Sequence, residues 1–151
     1  MAKKHPLSTI RLLQELEDKQ LQLIENAGEF REYDVGDTIF DEGKEGTHIY
    51  CILDGRVEIS LKLGEATDQA PVHTGTPGSV FGEFILFEKT TRSATARAVK
   101  PVRIFAITAE ALRKIFATHP EIGYPVMDNL CRILVGRVSK TTQELRSSLM
   151  W

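Results

Sequence analysis

The chain has no apolar run of the roughly 18 residues that a membrane helix needs, so no membrane span is expected. Its N-terminus, MAKKHPLSTIRLL, has two lysines but no apolar stretch of signal-peptide length. Cysteine is scarce. Cys51 and Cys131 fall in an apparent strand and an apparent helix, without C-x-x-C spacing, which is the pattern of reduced thiols in a cytoplasmic protein. The four histidines, His5, His48, His73 and His119, show no H-x-H or H-x-x-x-H spacing. This weighs against a metal-dependent barrel enzyme, and no metal is expected. There is no excess of positive charge: 19 Lys and Arg against 21 Asp and Glu give a net charge of −2, and no bulk basic surface offers itself to nucleic acid. Nucleophile elbow, P-loop and catalytic dyad are all missing, so the chain is not expected to be an enzyme. What remains is an ordinary globular composition, 42% hydrophobic and 26% charged over 151 residues, which fits one domain spanning 1–151.

Residues 8–26 read as helical, with Ser8 as N-cap before Ile10, Leu12, Leu13 and Leu16, and Asp18 capping a second short helix with Leu21, Leu23 and Ile24. From residue 29 the apolar period changes to two. Segments 29–34, 38–41, 47–53, 56–63, 71–75, 79–81, 93–99 and 102–107 read as strands of a β-barrel over 29–107. Asp54-Gly55 and Pro77-Gly78 punctuate them, and Gly36, Gly43, Gly46 and Gly55 read as turn glycines. GEATDQA at 64–70 reads as an exposed loop tip. Helices are expected over 108–147: Thr108 caps one over 109–118, His119-Pro120 breaks it, and a longer one runs from 121 to 147 with a bend near Pro125. Met127, Leu130, Leu134, Val138, Thr141 and Leu145 form one face of that helix, either a dimer seam or a surface packed on the barrel. Many short strands with tight turns imply an antiparallel sandwich or barrel.

The densest chemistry lies in Gly78 to Ala98, GSVFGEFILFEKTTRSATARA. Gly82 and Glu83 open a short apolar turn, and Arg92 follows with the small residues Ser93, Ala94 and Thr95 behind it. A helix start offers free N–H groups to an anion. Arginine offers a planar fork to phosphate oxygens. A buried carboxylate accepts a hydrogen bond from a sugar hydroxyl, and a glycine lets a ligand approach the backbone. Together they suit a compact sugar phosphate.

This segment resembles the phosphate-binding cassette of the cyclic nucleotide-binding domain family, which includes kinase regulatory subunits, catabolite activator proteins and gated channels. The family pattern F-G-E-x-A-L, a spacer, then R-[AST]-A-[TS] reads here as Phe81-Gly82-Glu83-Phe84-Ile85-Leu86, spacer Phe87 to Thr91, and Arg92-Ser93-Ala94-Thr95. Bulky Phe84 and Ile85 depart mildly from the usual pair. Upstream, Gly36-Asp37-Thr38-Ile39-Phe40-Asp41-Glu42-Gly43, then Gly46 and Gly55-Arg56-Val57, is similar to the family's G-D-x-I-[FV]-x-E-G, G and G-x-V. The likeness covers about residues 8–145.

The resemblance implies a mainly β fold with flanking α: an antiparallel jelly-roll-like barrel (double-stranded β-helix) with N-terminal helices and a long C-terminal helix. It implies a receptor whose ligand is cAMP, with cGMP as the alternative, and which signals by moving the C-terminal helix. Phe81, Gly82, Glu83, Phe84, Arg92, Ser93 and Ala94 would form the site, with Arg92 and Ser93 on phosphate and Glu83 on the ribose 2′-OH. Arg137, on the C-terminal helix, falls near the base region, with Tyr124 and Trp151 as other lids. A homodimer through that helix, an effector protein and no DNA binding by this chain alone are the implied partnerships. The alternatives are a non-binding interaction module whose pocket is filled by Phe84 or Phe87, the regulatory half of a split transcription regulator, and a cupin-like metalloenzyme.

Overall fold

Two apolar runs, HIYCILD and VRIFAIT, hold the architecture together. A computed structural model describes residues 3–64, 68–87 and 91–150. The strands are β1 (Glu29–Tyr33), β2 (Thr38–Phe40), β3 (His48–Asp54), β4 (Val57–Lys62), β5 (Gln69–Gly75), β6 (Val80–Phe81), β7 (Thr95–Ala98) and β8 (Val102–Thr108). They form two four-stranded sheets, ordered β1-β8-β3-β6 and β2-β7-β4-β5. Every pairing is antiparallel. This is the jelly-roll-like barrel, with α1 (Asp18–Ala27), α2 (Ala109–Thr118) and α3 (Pro120–Leu149) flanking it.

The two runs are apolar without alternation because both faces of β3 and β8 are covered. Successive side chains point to opposite faces. Tyr50, Ile52, Ile104 and Ala106 therefore enter the barrel interior, while Ile49, Cys51, Phe105 and Ile107 face the helical layer. In that layer they meet Leu21 and Ile24 of α1, Leu112 and Ile115 of α2, and Ile122, Val126 and Leu130 of α3. Inside the barrel Ala96, Ala98 and Ala106 are small where Tyr50 and Phe81 are large. Tyr50 and Phe81 stack at 5.1 Å between ring centroids.

Several expectations change. The second of the two helices expected in segment 8–26 is present as α1, but the first is not an α-helix. It is two 3-10 turns, Pro6–Thr9 and Arg11–Leu13, followed by α1. Ile10 is extended between the turns, and Glu15 has a φ of 75°, a left-handed conformation that ends the helical path. Glu17, rather than Asp18, is the N-cap of α1. It forms a reciprocal capping box with Gln20, whose side chain accepts from the Glu17 amide at 2.9 Å. Ser8 caps nothing; its hydroxyl is buried and unpartnered.

The expected loop 64–70 is shorter. Gln69 and Ala70 pair with Lys62 and Leu61, so β5 begins two residues earlier than the apolar pattern suggests. Residues 65–67 lie outside the described residues. Conversely, β7 begins at Thr95, two residues later than expected, leaving Ser93 and Ala94 in a bend before it.

At the C-terminal end, Thr108 caps α2 as expected, accepting from the Ala111 amide at 3.0 Å. His119 is at once the C-cap of α2 and the N-cap of α3, and Pro120 takes the first helical position. The expected stripe divides. Leu130 is buried and Met127 and Leu134 pack on the core, but Val138, Thr141 and Leu145 are exposed. Every residue from Val138 to Met150 is exposed.

Candidate functional site

The turn Glu83–Leu86 leaves β6 through Gly82, whose φ is 76°. A side chain there would be strained, and an added Cβ would lie 2.9 Å from Arg92 Nη1. This places Glu83 at the start of the turn, 4% exposed, and turns Phe84 outward at 52%.

Arg92 reaches the site from the strand-like segment before β7 and is 4% exposed. Its Nη2 donates to the His48 carbonyl at 2.8 Å and its Nη1 to the Gly82 carbonyl at 3.2 Å. The guanidinium lies 4.2 Å from the Phe40 ring centroid and 5.7 Å from that of Tyr50. Its Nε is buried without a partner. Among the described residues no ion pair includes Arg92. Burial pushes its pKa down from the usual arginine value, with Tyr50 and Glu83 opposing. Among the described residues the direct contacts of the charge are thus carbonyl dipoles and ring faces.

Glu83 has its cation already. Arg137 Nη1 donates to Glu83 Oε1 at 2.5 Å, and Nη2 of the same group donates to the Val80 carbonyl. Arg137, expected near a base, lines the same cavity and gives its guanidinium to the carboxylate. Burial, with the Glu83 charge adding to it, pushes the Cys51 thiol up to about 12, so this cysteine stays protonated.

Phe81, Gly82, Glu83, Phe84, Arg92, Ser93, Ala94 and Arg137 line one cavity of about 160 Å³. The sequence reading missed five of its walls: Phe40 of β2, Ile59 of β4, His73 of β5, Ile85 of the turn itself and Thr91. A signal existed for Phe40, which lies inside the glycine-rich upstream motif. None existed for Ile59 and His73, which reach the cavity only through the fold of the second sheet. The cavity shares His73 and Arg137 with a larger groove of about 590 Å³ between β5 and α3, where Arg11, Arg132 and Lys140 also stand. Burial, then Arg137 and Lys140, push the His73 pKa down, with Glu144 opposing, so the ring is neutral near pH 7.

Gly46 is more than a turn glycine. A Cβ on it would lie 2.1 Å from Arg92 Nε, so the bare backbone is what leaves room for the guanidinium. Tyr124 is 78% exposed and does not line the cavity, so it is no lid in this structure. Trp151 and spacer residues 88–90 lie outside the described residues. Neither Phe84 nor Phe87 fills the cavity: both are more than half exposed, and Phe87 is not among its walls. Among the described residues no group of three or more His, Cys, Asp or Glu could hold a metal ion. No helix among them is long and apolar enough to cross a membrane.

A buried arginine with no ion pair among the described residues, beside a buried carboxylate, can receive an anion and a hydroxyl donor together. Comparison with known proteins points the same way. The "CRP-like cAMP-activated global transcriptional regulator" of Mycobacterium tuberculosis is 31% identical over 110 residues, covering 73% of this chain and 47% of that protein. The chain therefore spans just under half the length of this curated relative. The catabolite activator protein of Thermus thermophilus superposes with a TM-score of 0.75 at 26% identity, covering 90% of this chain and 62% of that one. A cyclic nucleotide-binding domain from Methylobacillus flagellatus shares the fold at a TM-score of 0.82 and 18% identity, covering 95% of this chain and 80% of that one. The family model described as cyclic nucleotide-binding domain matches residues 30–119. With that match spanning well over half of its residues, the chain belongs to the cyclic nucleotide-binding domain family.

Proposed function

We propose that the chain is a receptor for a cyclic mononucleotide, cAMP in preference to cGMP, and that it signals through α3 and not through catalysis. The observation that carries this reading is Arg92: a cation only 4% exposed, with no carboxylate partner among the described residues and an unpaired Nε. An unpaired buried charge is costly, and a cyclic phosphate is the anion that would relieve it. Ser93 and the amide of Ala94 lie next to it in the bend, available to the same phosphate oxygens.

Glu83 receives the ribose 2′-OH. The 160 Å³ cavity is short of the roughly 300–1,000 Å³ typical of small-molecule pockets, so the base extends past His73 into the adjoining groove. The R-S-A sequence at Arg92 and the cAMP named for the mycobacterial relative favour cAMP.

The signal follows from the Glu83–Arg137 pair. A ribose hydroxyl on Glu83 competes with Arg137, which belongs to α3, and so biases that helix between two positions. Exposed positions of α3 recur at spacings of four and three along Val135, Val138, Thr142, Leu145 and Leu149. That is the heptad seam of a two-helix contact, and a second copy of the chain is its occupant. It shares Val138 and Leu145 with the stripe expected from sequence, whose first half, Met127, Leu130 and Leu134, is spent on the domain's own core.

Calorimetric titration of nucleotide-free protein with cAMP and cGMP tests the reading. Micromolar or tighter binding of one nucleotide, abolished by Arg92→Ala, is expected. No heat from either nucleotide would replace the receptor with a non-binding interaction module.

A further inference from the structure

We infer that Arg113 is a positioning residue for the site: from α2 it holds the far end of the turn that carries Glu83, and it ties that turn to the helices that must respond. The nucleotide part of this inference rests on the receptor reading above.

The turn Glu83–Leu86 is only four residues long, and its closing bond is Phe87 N–H to the Phe84 carbonyl at 3.0 Å. The last carbonyls of any helix lack partners within the helix. Here they belong to Ile85 and Leu86, which are 3% and 8% exposed, so a donor must be brought to them. Arg113 brings it. Its Nη2 donates to the Leu86 carbonyl at 2.5 Å and to the Ile85 carbonyl at 2.9 Å. Hydrogen bonds from a charged donor are about twice as strong as neutral ones. Among the described residues Arg113 makes no ion pair, so no carboxylate competes for its fork.

The turn is therefore clamped at both ends by arginines from different helices. Arg137 of α3 holds Glu83 at its start, and Arg113 of α2 holds Ile85 and Leu86 at its end. Those helices meet at the single residue His119. A cavity of about 290 Å³, lined by Gly46, Thr47, Ile85, Ala109 and Arg113 among others, lies between the turn and the start of α2. The turn has room to shift there once the arginine is gone. Arg113 itself is exposed, so replacing it leaves the apolar core intact.

The test compares the full chain with Arg113→Met and Arg113→Lys by amide hydrogen exchange, thermal melting and calorimetry with cAMP and cGMP. The expected result for Arg113→Met is about tenfold faster exchange of the 83–87 amides, unchanged exchange in β3 and β8, and an unchanged melting temperature. Nucleotide affinity falls about tenfold. Arg113→Lys, which keeps the charge but not the fork, lies between. Unchanged exchange in the turn overturns the inference. So does faster exchange spread over the whole molecule with a lowered melting temperature, or a loosened turn with undiminished affinity. If the unsubstituted chain binds neither nucleotide, the receptor reading fails by itself, and the exchange of residues 83–87 alone decides the role of Arg113.

Discussion

Glu83 and Arg137, 54 positions apart, form the ion pair that joins the barrel to α3. Glu83 is buried to 4% exposure, so removing Arg137 leaves a carboxylate without its cation. Arg137→Met should lower the stability of the empty protein by about 1–3 kcal/mol, read in urea melts. Glu83→Gln combined with Arg137→Met should be less damaging than the sum of the two single changes. Strict additivity would mean that the two groups do not interact in solution.

Arg92 behaves in the opposite sense. Its charge is buried against carbonyls and rings, with no carboxylate partner among the described residues, so it burdens the empty state. Arg92→Met should leave the melting temperature of ligand-free protein unchanged or raise it. The same change should weaken nucleotide binding by at least 100-fold, about 3 kcal/mol. A variant that melts much earlier than the parent would show that Arg92 is a structural residue.

Gly46→Ala probes the same group from the other side. Its Cβ would sit 2.1 Å from Arg92 Nε, so the guanidinium must shift. The expected cost is about 1–3 kcal/mol in stability, together with weaker nucleotide binding. Structures or chemical shifts that leave Arg92 in place would contradict the expectation.

These residues also mark the limit of what was legible in the sequence. Glycine pairs and alternating apolar positions located all eight strands to within two residues, and the Thr108 cap located α2. The motif grouped Glu83 with Arg92. The rest depended on contacts distant in the chain. The His48 carbonyl lies 44 positions from Arg92, and nothing in GKEGTH announces that Gly46 must accommodate a guanidinium. The first segment misled for a local reason. Leu7, Ile10 and Leu13 recur every three residues, which suits 3-10 turns as well as the edge of an α-helix, and the extended Ile10 and the left-handed Glu15 separate the two readings.

Acid should destabilise the fold through two histidines. Burial, then Arg31, pushes the His48 pKa below 6.5, and burial, then Arg137, does the same for His73. His48 Nε2 lies 3.2 Å from Arg31 Nη2, a contact that requires the neutral ring as acceptor. A folded-state value below the unfolded one means that the unfolded chain binds more protons in that window. Stability is therefore complete above about pH 6.5 and falls as the pH drops through the folded values. Melting temperatures between about pH 7.5 and 5 should decline, and His48→Gln should flatten the decline. A profile unaltered by His48→Gln and His73→Gln would assign the acid sensitivity to carboxylates.

The His119 junction makes α3 a lever. A single residue, with φ −132° and ψ 74°, separates the 10-residue α2 from the 30-residue α3. At 1.5 Å per residue the longer arm measures about 45 Å, so a rotation of about 5° at its base carries the tip about 4 Å. A displacement at the cassette too small to change the packing of the barrel is enough, at Leu149, to change which surface a neighbouring molecule meets.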